Sequence, residues 1–200
     1  MYLHPFGALY WVEEKVLMLA DVHIGKVAHF RREGLAVPAG LRHLNIQRLD
    51  KLVAQFQPER IVFLGDLFHS KKNSEWEDFK VWLQRQSAEC MLILGNHDRH
   101  DKKAIPQDLL ACYYSKDMGP FRLSHHPEDT QELFNICGHI HPGIMLRGRG
   151  GLSLKAACFA VYERQMILPA FGAFTGTHQL GIKDCKHLFV IAEEELVQVK

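Results

Sequence analysis

Five short polar strings in this chain carry residue types that can do chemistry together: Asp21-Val22-His23, Gly65-Asp66-Leu67-Phe68-His69, Gly95-Asn96-His97-Asp98, Ser124-His125-His126 and Gly138-His139-Ile140-His141. Carboxylate, imidazole and amide groups bind divalent transition ions, and none of the strings contains the thiolates of a closed structural zinc site. A single DxH or HxH pair is common by chance. A string such as Gly-Asn-His-Asp arises in about one random chain in a thousand of this length at average residue usage, so the ordered series is not a coincidence. The candidate ligands are Asp21, His23, Asp66, Asn96, His125, His139 and His141. On an extended segment residues i and i+2 point the same way, which predicts that Asp21 with His23, and His139 with His141, each face one site.

A catalytic ion takes roughly three to five protein ligands when it keeps positions open for water and substrate, so seven candidates imply two ions. This donor set suits Mn, placed first, or Fe or Zn, better than Ca or Mg, which prefer oxygen alone. Asp66 is the natural bridge, because a carboxylate has two oxygens and can hold two ions roughly 3.5–4 Å apart. His125 and His126 are alternatives for one ligand position. His125 is preferred because it comes directly off a strand.

The elements that must position these strings are legible around them. Each string follows a short apolar run, residues 16–20, 61–64, 91–94, 121–124 and 134–137, with the character of a buried strand. Leu41, Leu44, Leu49, Leu52, Val53 and Phe56 recur at helical spacing between the first two runs, as do Trp76, Phe79, Trp82 and Leu83 between the next two. That alternation predicts βαβ crossovers with loops gathered at the carboxyl ends of the strands. Beyond Gly151, alternating stretches at 152–160, 164–168 and 188–192 suggest a more antiparallel sheet. The expected fold is α/β, two packed mixed β-sheets flanked by helices in an αββα sandwich, forming a single domain over residues 1–200.

Composition narrows the function classes. The formal charge of +1 argues against a protein that holds nucleic acid by bulk electrostatics. Local basic residues nonetheless follow the strings: Lys26, Arg31 and Arg32; Lys71 and Lys72; Arg99, Lys102 and Lys103; Arg147 and Arg149. Their placement suits a polyanionic substrate. The five cysteines are an odd number without a CxxC pair, which favours reduced thiols. The first residues lack a secretory leader and no run reaches membrane-span length, so a cytoplasmic protein is expected.

With these residues in view, the series over residues 20–141 resembles the calcineurin-like metallophosphoesterase family, whose signature is DxH, GDxxH or GDxxD, GNHD or GNHE, a lone His and GHxH. The resemblance implies one metal on Asp21, His23, Asp66 and His141, and a second on Asp66, Asn96, His125 and His139. It places His97 near the leaving group as a general acid or transition-state donor, with Asp98 holding its imidazole. The family usually has glycine after the lone His, where this chain has His126. The implied reaction is in-line attack of water on phosphorus while both cations offset charge on the phosphoryl oxygens.

A narrower similarity lies in Asp21-Val-His-Ile-Gly-Lys-Val-Ala-His-Phe-Arg-Arg-Glu-Gly-Leu-Ala-Val-Pro38 and Leu168-Pro-Ala-Phe-Gly-Ala-Phe-Thr-Gly-Thr177, which resemble the bacterial ligase-associated DNA damage response endonucleases, PdeM. That implies a DNA end-processing nuclease associated with a DNA ligase, a helicase and an exonuclease; the placement of the basic residues offers Lys26, Arg31 and Arg99 as substrate contacts. The alternatives are a phosphodiesterase or phosphatase acting on a nucleotide or other small phosphoester, and a non-catalytic scaffold of the same fold.

Overall fold

The structure is a computed structural model that describes residues 1–35, 37, 41, 43–69, 73–99, 105–148 and 153–200. Lys71, Lys72, His100, Lys102, Lys103 and Arg149 lie outside the described residues.

The apolar runs form the middle of the first sheet. Strands β1 (Tyr2–His4), β2 (Ala8–Trp11), β3 (Val16–Leu19), β4 (Arg60–Phe63), β5 (Glu89–Ile93) and β6 (Ala111–Tyr113) lie in that spatial order among the described residues. β1, β2 and β3 pair antiparallel, whereas β3, β4, β5 and β6 pair parallel. The parallel pairs need crossovers, supplied by α2 (Leu44–Phe56) and α3 (Ser74–Gln84). Asn73 caps α3 by accepting the Glu75 N–H at 2.9 Å. Trp76, Phe79, Trp82 and Leu83 form its buried face, and Trp82 Nε1 donates to Asp50 on α2 at 2.7 Å.

Period-two alternation explains why these strands read as unbroken apolar runs. Leu17, Leu19, Ile61, Phe63 and Leu92 point into a core shared with Leu49, Leu52, Phe79 and Trp82. Val16, Met18, Val62, Met91 and Ile93 point the other way, onto Leu123, Ile136 and Phe159 of a second sheet. Phe79 of α3 is buried in the core on one face of this sheet, and truncating it to Ala would cost about 3–5 kcal/mol.

The second sheet carries β7 (Ser115–Met118), β8 (Phe121–Ser124), β9 (Phe134–Cys137), β10 (Pro142–Arg147), β11 (Ser153–Val161), β12 (Gln165–Ile167) and β13 (His178–Gln179), in the order β13-β10-β11-β12-β9-β8-β7. β14 (His187–Ala192) pairs with β11, and β15 (Glu195–Gln198) pairs with β14. Both sheets are mixed, as expected. Among the described residues the outer face of the second sheet, with Ile144, Ala156, Cys158 and Leu188, packs on Leu180 and Cys185 of a non-helical segment rather than on a helix. All five cysteines are unpaired.

Segment 168–172 clasps the sheets together. Leu168 N donates to Cys137 O of the second at 2.8 Å, and Phe171 N donates to Ala20 O beside the first at 2.8 Å. Among the described residues, no helix is long and apolar enough to cross a membrane.

Candidate metal centre

The candidate ligands follow the carboxyl ends of β3, β4, β5, β8 and β9, where the two sheets meet. Asp21, His23, Asp66, His139 and His141 all have positive φ, between 47° and 66°. The pairs Asp21/His23 and His139/His141 therefore do not alternate along extended backbone, as their spacing suggests. Each turns into the site through left-handed conformations, which Asp and His tolerate better than most residues but which still cost about 1 kcal/mol or more apiece. Long-range hydrogen bonds hold them there. Asp21 N donates to Gly65 O at 3.1 Å, His23 N to Asp66 O at 3.0 Å, and His139 N to Asp21 Oδ2 at 2.9 Å.

The resulting clusters have metal-ligand geometry. Asp21, His23 and His141 bring one donor atom each within 4.8 Å of one another, as do Asp21, Asp66 and His125, and His125, His126 and His139. Asp66 accepts the His97 backbone N–H at 2.9 Å through Oδ1, and that oxygen lies 3.5 Å from His125 Nε2. His125 Nδ1 lies 3.0 Å from Leu64 O, a bond that fixes its tautomer and leaves Nε2 facing the cluster. His126 Nε2 lies 3.0 Å from Asn96 Oδ1. Both histidines thus reach the centre.

A divalent cation fits this donor set on the structure's own terms. Asp21 Oδ1, His23 Nδ1 and His141 Nε2 are buried without a hydrogen-bond partner, although the first and last approach to 3.2 Å. A buried unsatisfied polar atom costs about 1–3 kcal/mol, and a cation between these lone pairs would remove that cost.

The glycine that opens three of the strings is explained by crowding. A Cβ at Gly65 would lie 2.0 Å from His125 Nδ1, at Gly95 2.2 Å from Asp66 Oδ1, and at Gly138 2.5 Å from Asp21 Oδ2. In each case the missing side chain makes room for a ligand from another string.

Residues 14–152 match the calcineurin-like phosphoesterases. The chain belongs to that family. It is a metal-dependent phosphoesterase. Among solved structures, it is similar to the Pseudomonas putida nuclease MPE, with 28% identity, a TM-score of 0.81, and coverage of 98% of this chain and 93% of that one. The E. coli phosphoesterase Yfce gives 14% identity and a TM-score of 0.42, over 92% of this chain and 97% of that one. No curated protein matches.

Burial keeps the imidazoles of this phosphoesterase ready to bind a cation. His23 is pushed down to about 2, first by desolvation and then by Lys26 and neighbouring histidines. His69 falls to about 4 for the same leading reason, and burial also lowers His139. Neutral imidazoles present a lone pair at ordinary pH. Lys26 is likewise lowered by burial, against the attraction of Asp21 and Asp66. Its Nζ donates to Thr175 Oγ1 at 3.3 Å, so the backbone around Lys26 and that around Thr175 meet beside the centre.

Other expected residues are placed differently. Asp98 does not hold the His97 ring. Its carboxylate accepts the backbone N–H groups of Gly95 at 2.9 Å, Phe68 at 3.0 Å and Leu67 at 3.4 Å, tying the Asn96 loop to the Asp66 loop. Burial pushes it up to about 6 despite those donors. Arg31 donates through Nε and Nη2 to Val37 O, at 3.0 and 2.8 Å, and so shapes its own loop. The Arg99 guanidinium lies 5.4 Å from the Tyr114 ring centroid.

Some residues that build the centre lie outside the candidate set. Buried Glu75 accepts the N–H groups of Gly25 and Ala28 at the start of α1 (Lys26–Arg32), at 2.9 and 2.6 Å. Asn45 joins Val22 O to Ala173 N. His69 stands between His97 and His29, its ring 5.1 and 5.4 Å from theirs. The final His of the second string was its only sequence signal.

Proposed function

We propose that this phosphoesterase is a manganese-dependent nuclease that cuts phosphodiester bonds in DNA during end processing or repair, working alongside a DNA ligase, a helicase and an exonuclease. The observation that carries this reading is the likeness, over 98% of the chain at a TM-score of 0.81, to a protein described as a nuclease. Asp21, His23, Asp66 and His141 would hold one ion, and Asp66, Asn96, His125 and His139 the other. The chemistry such cations would supply is a more acidic water at the centre and an offset to negative charge on the phosphoryl oxygens.

The chain's own residues do the rest. The Asp66 carboxylate is held in place by the His97 N–H, which donates to its Oδ1 at 2.9 Å. The His97 side chain is 43% exposed, with Nε2 4.0 Å from Asp66 Oδ2, a position suited to donating a proton to a departing oxygen. Lys26 brings a cation beside the ligand cluster, where it would contact a phosphate oxygen of a bound substrate. Arg99 with Tyr114 pairs a cation and a ring, the combination that holds single strands by charge and stacking. Arg31 adds positive charge at the edge of α1.

Labelled single-stranded, duplex and flapped DNA incubated with the purified protein and Mn tests the proposal, with bis(p-nitrophenyl) phosphate as a generic diester in parallel. DNA cleavage that disappears on chelation is expected. Hydrolysis of the small diester with every DNA left intact would sink the nuclease reading and leave a small-molecule phosphodiesterase.

A further inference from the structure

The two adjacent histidines leave one side chain without a role. His126 Nε2 lies 3.0 Å from Asn96 Oδ1, and the His126 ring centroid is 4.0 Å from that of His139 and 4.8 Å from that of His125. The turn that carries His126 is braced from inside. Asn135 is fully buried, donates through Nδ2 to Ser124 Oγ at 2.7 Å and Arg122 O at 3.1 Å, and accepts Glu128 N at 3.0 Å. Ser124 Oγ in turn donates to His126 O at 2.6 Å. The backbone on both sides of His126 is therefore fixed by a buried amide, and the ring is delivered to Asn96 by the fold.

A side-chain amide has two ends of nearly equal size, and only the oxygen can ligate a cation. Asn96 is exposed at the start of a four-residue helix, with little packing of its own to select the correct end. A donor aimed at Oδ1 makes the selection, because the same donor facing the NH2 end would meet another donor. Oδ1 carries two lone pairs, so it can take one hydrogen bond and still face an ion.

We propose that His126 is a positioning residue for the second metal: its Nε2–H holds the Asn96 amide with the oxygen turned toward the ion. This rests on Asn96 being a ligand, as read above. Removing such an outer partner typically lowers metal affinity about 10–100-fold.

Manganese titration by calorimetry, with metal counted per chain by mass spectrometry, tests this on the full chain and on His126→Gly, His126→Phe and His126→Gln. We expect Gly and Phe to weaken one of two sites about 10–100-fold while sparing the other, and Gln, which retains an N–H donor, to recover most of the loss. Affinity kept by Phe would show that only bulk matters and overturn the proposal, as would unchanged binding in all three variants. Complete loss of one ion in both Gly and Gln, with an altered visible spectrum of the cobalt-loaded protein, would overturn it by making His126 itself a ligand. Failure of the underlying two-metal reading shows separately, as fewer than two ions in the wild-type protein, and overturns both.

Discussion

Gly65 and His125 compete for one space: a Cβ on residue 65 would lie 2.0 Å from His125 Nδ1, and the backbone there has φ of +87°. Gly65→Ala therefore combines left-handed strain of about 1–2 kcal/mol with overpacking of about 1–3 kcal/mol. We expect a lower melting temperature together with weakened metal binding, since His125 must move. Gly34→Ala is the control, having φ of +82° with nothing within 4 Å of its Cβ, so it should show the strain alone. Equal effects of the two substitutions would refute the crowding argument.

His97→Ala should retain both metals and lose turnover by about 10²–10⁴-fold, the usual contribution of a general acid. Metal is retained because residue 97 supports Asp66 through its backbone N–H, which alanine keeps. Metal content and DNA cleavage measured on one preparation decide this. Unchanged turnover would remove the general-acid role.

Asp98→Ala leaves three buried backbone N–H groups without an acceptor, those of Leu67, Phe68 and Gly95. At about 1–3 kcal/mol for each orphaned donor, a cost of about 3 kcal/mol or more follows. Because Asp98 joins the Asp66 and Asn96 loops, denaturant unfolding and metal affinity should fall together. A stability loss with metal affinity intact would show that the loops stay aligned without it.

Acid should destabilise the metal-free protein through His23. The ordinary imidazole titrates near 6.5, and in the fold burial pushes His23 down to about 2. As pH drops below about 6.5 the unfolded chain takes up a proton that the folded chain refuses, so this contribution to stability is lost at up to about 1.4 kcal/mol per pH unit. Chelated wild-type protein melted at pH 5 and pH 7 should differ more than chelated His23→Gln. A variant with the same pH dependence as wild type would show that His23 titrates normally.

Much of the architecture was legible because burial on both faces leaves a plain mark. β8 and β9 coincide with the apolar runs at 121–124 and 134–137, and Trp76, Phe79 and Trp82 mark α3 at helical spacing. The hairpin of β1 and β2 was not legible, since β1 is a partly exposed Tyr-Leu-His and no polar string follows either strand to mark its end. The seven-residue α1 escaped because two turns with one buried residue, Val27, show no helical period. Nor could the sequence show that β11 pairs with β10, β12 and β14 along its length, because pairing partners are chosen by distant segments.

The sequence by itself determined the donor chemistry at the centre: which side chains can ligate, in what order they follow strands, and that they are too many for one ion. Those are local properties of residue type and spacing. Only the tertiary structure decided which atoms meet. Asp21 and His139 face the centre through left-handed turns held from other strings, Asp98 joins two loops instead of holding His97, and Gly65 is small because His125 lies against it. Each depends on hydrogen bonds or contacts between segments far apart in the chain, where spacing carries no information. Asn96 shows the division most clearly: its type offers an amide oxygen as a donor, and only the fold brings His126, thirty residues away, to 3.0 Å from that oxygen.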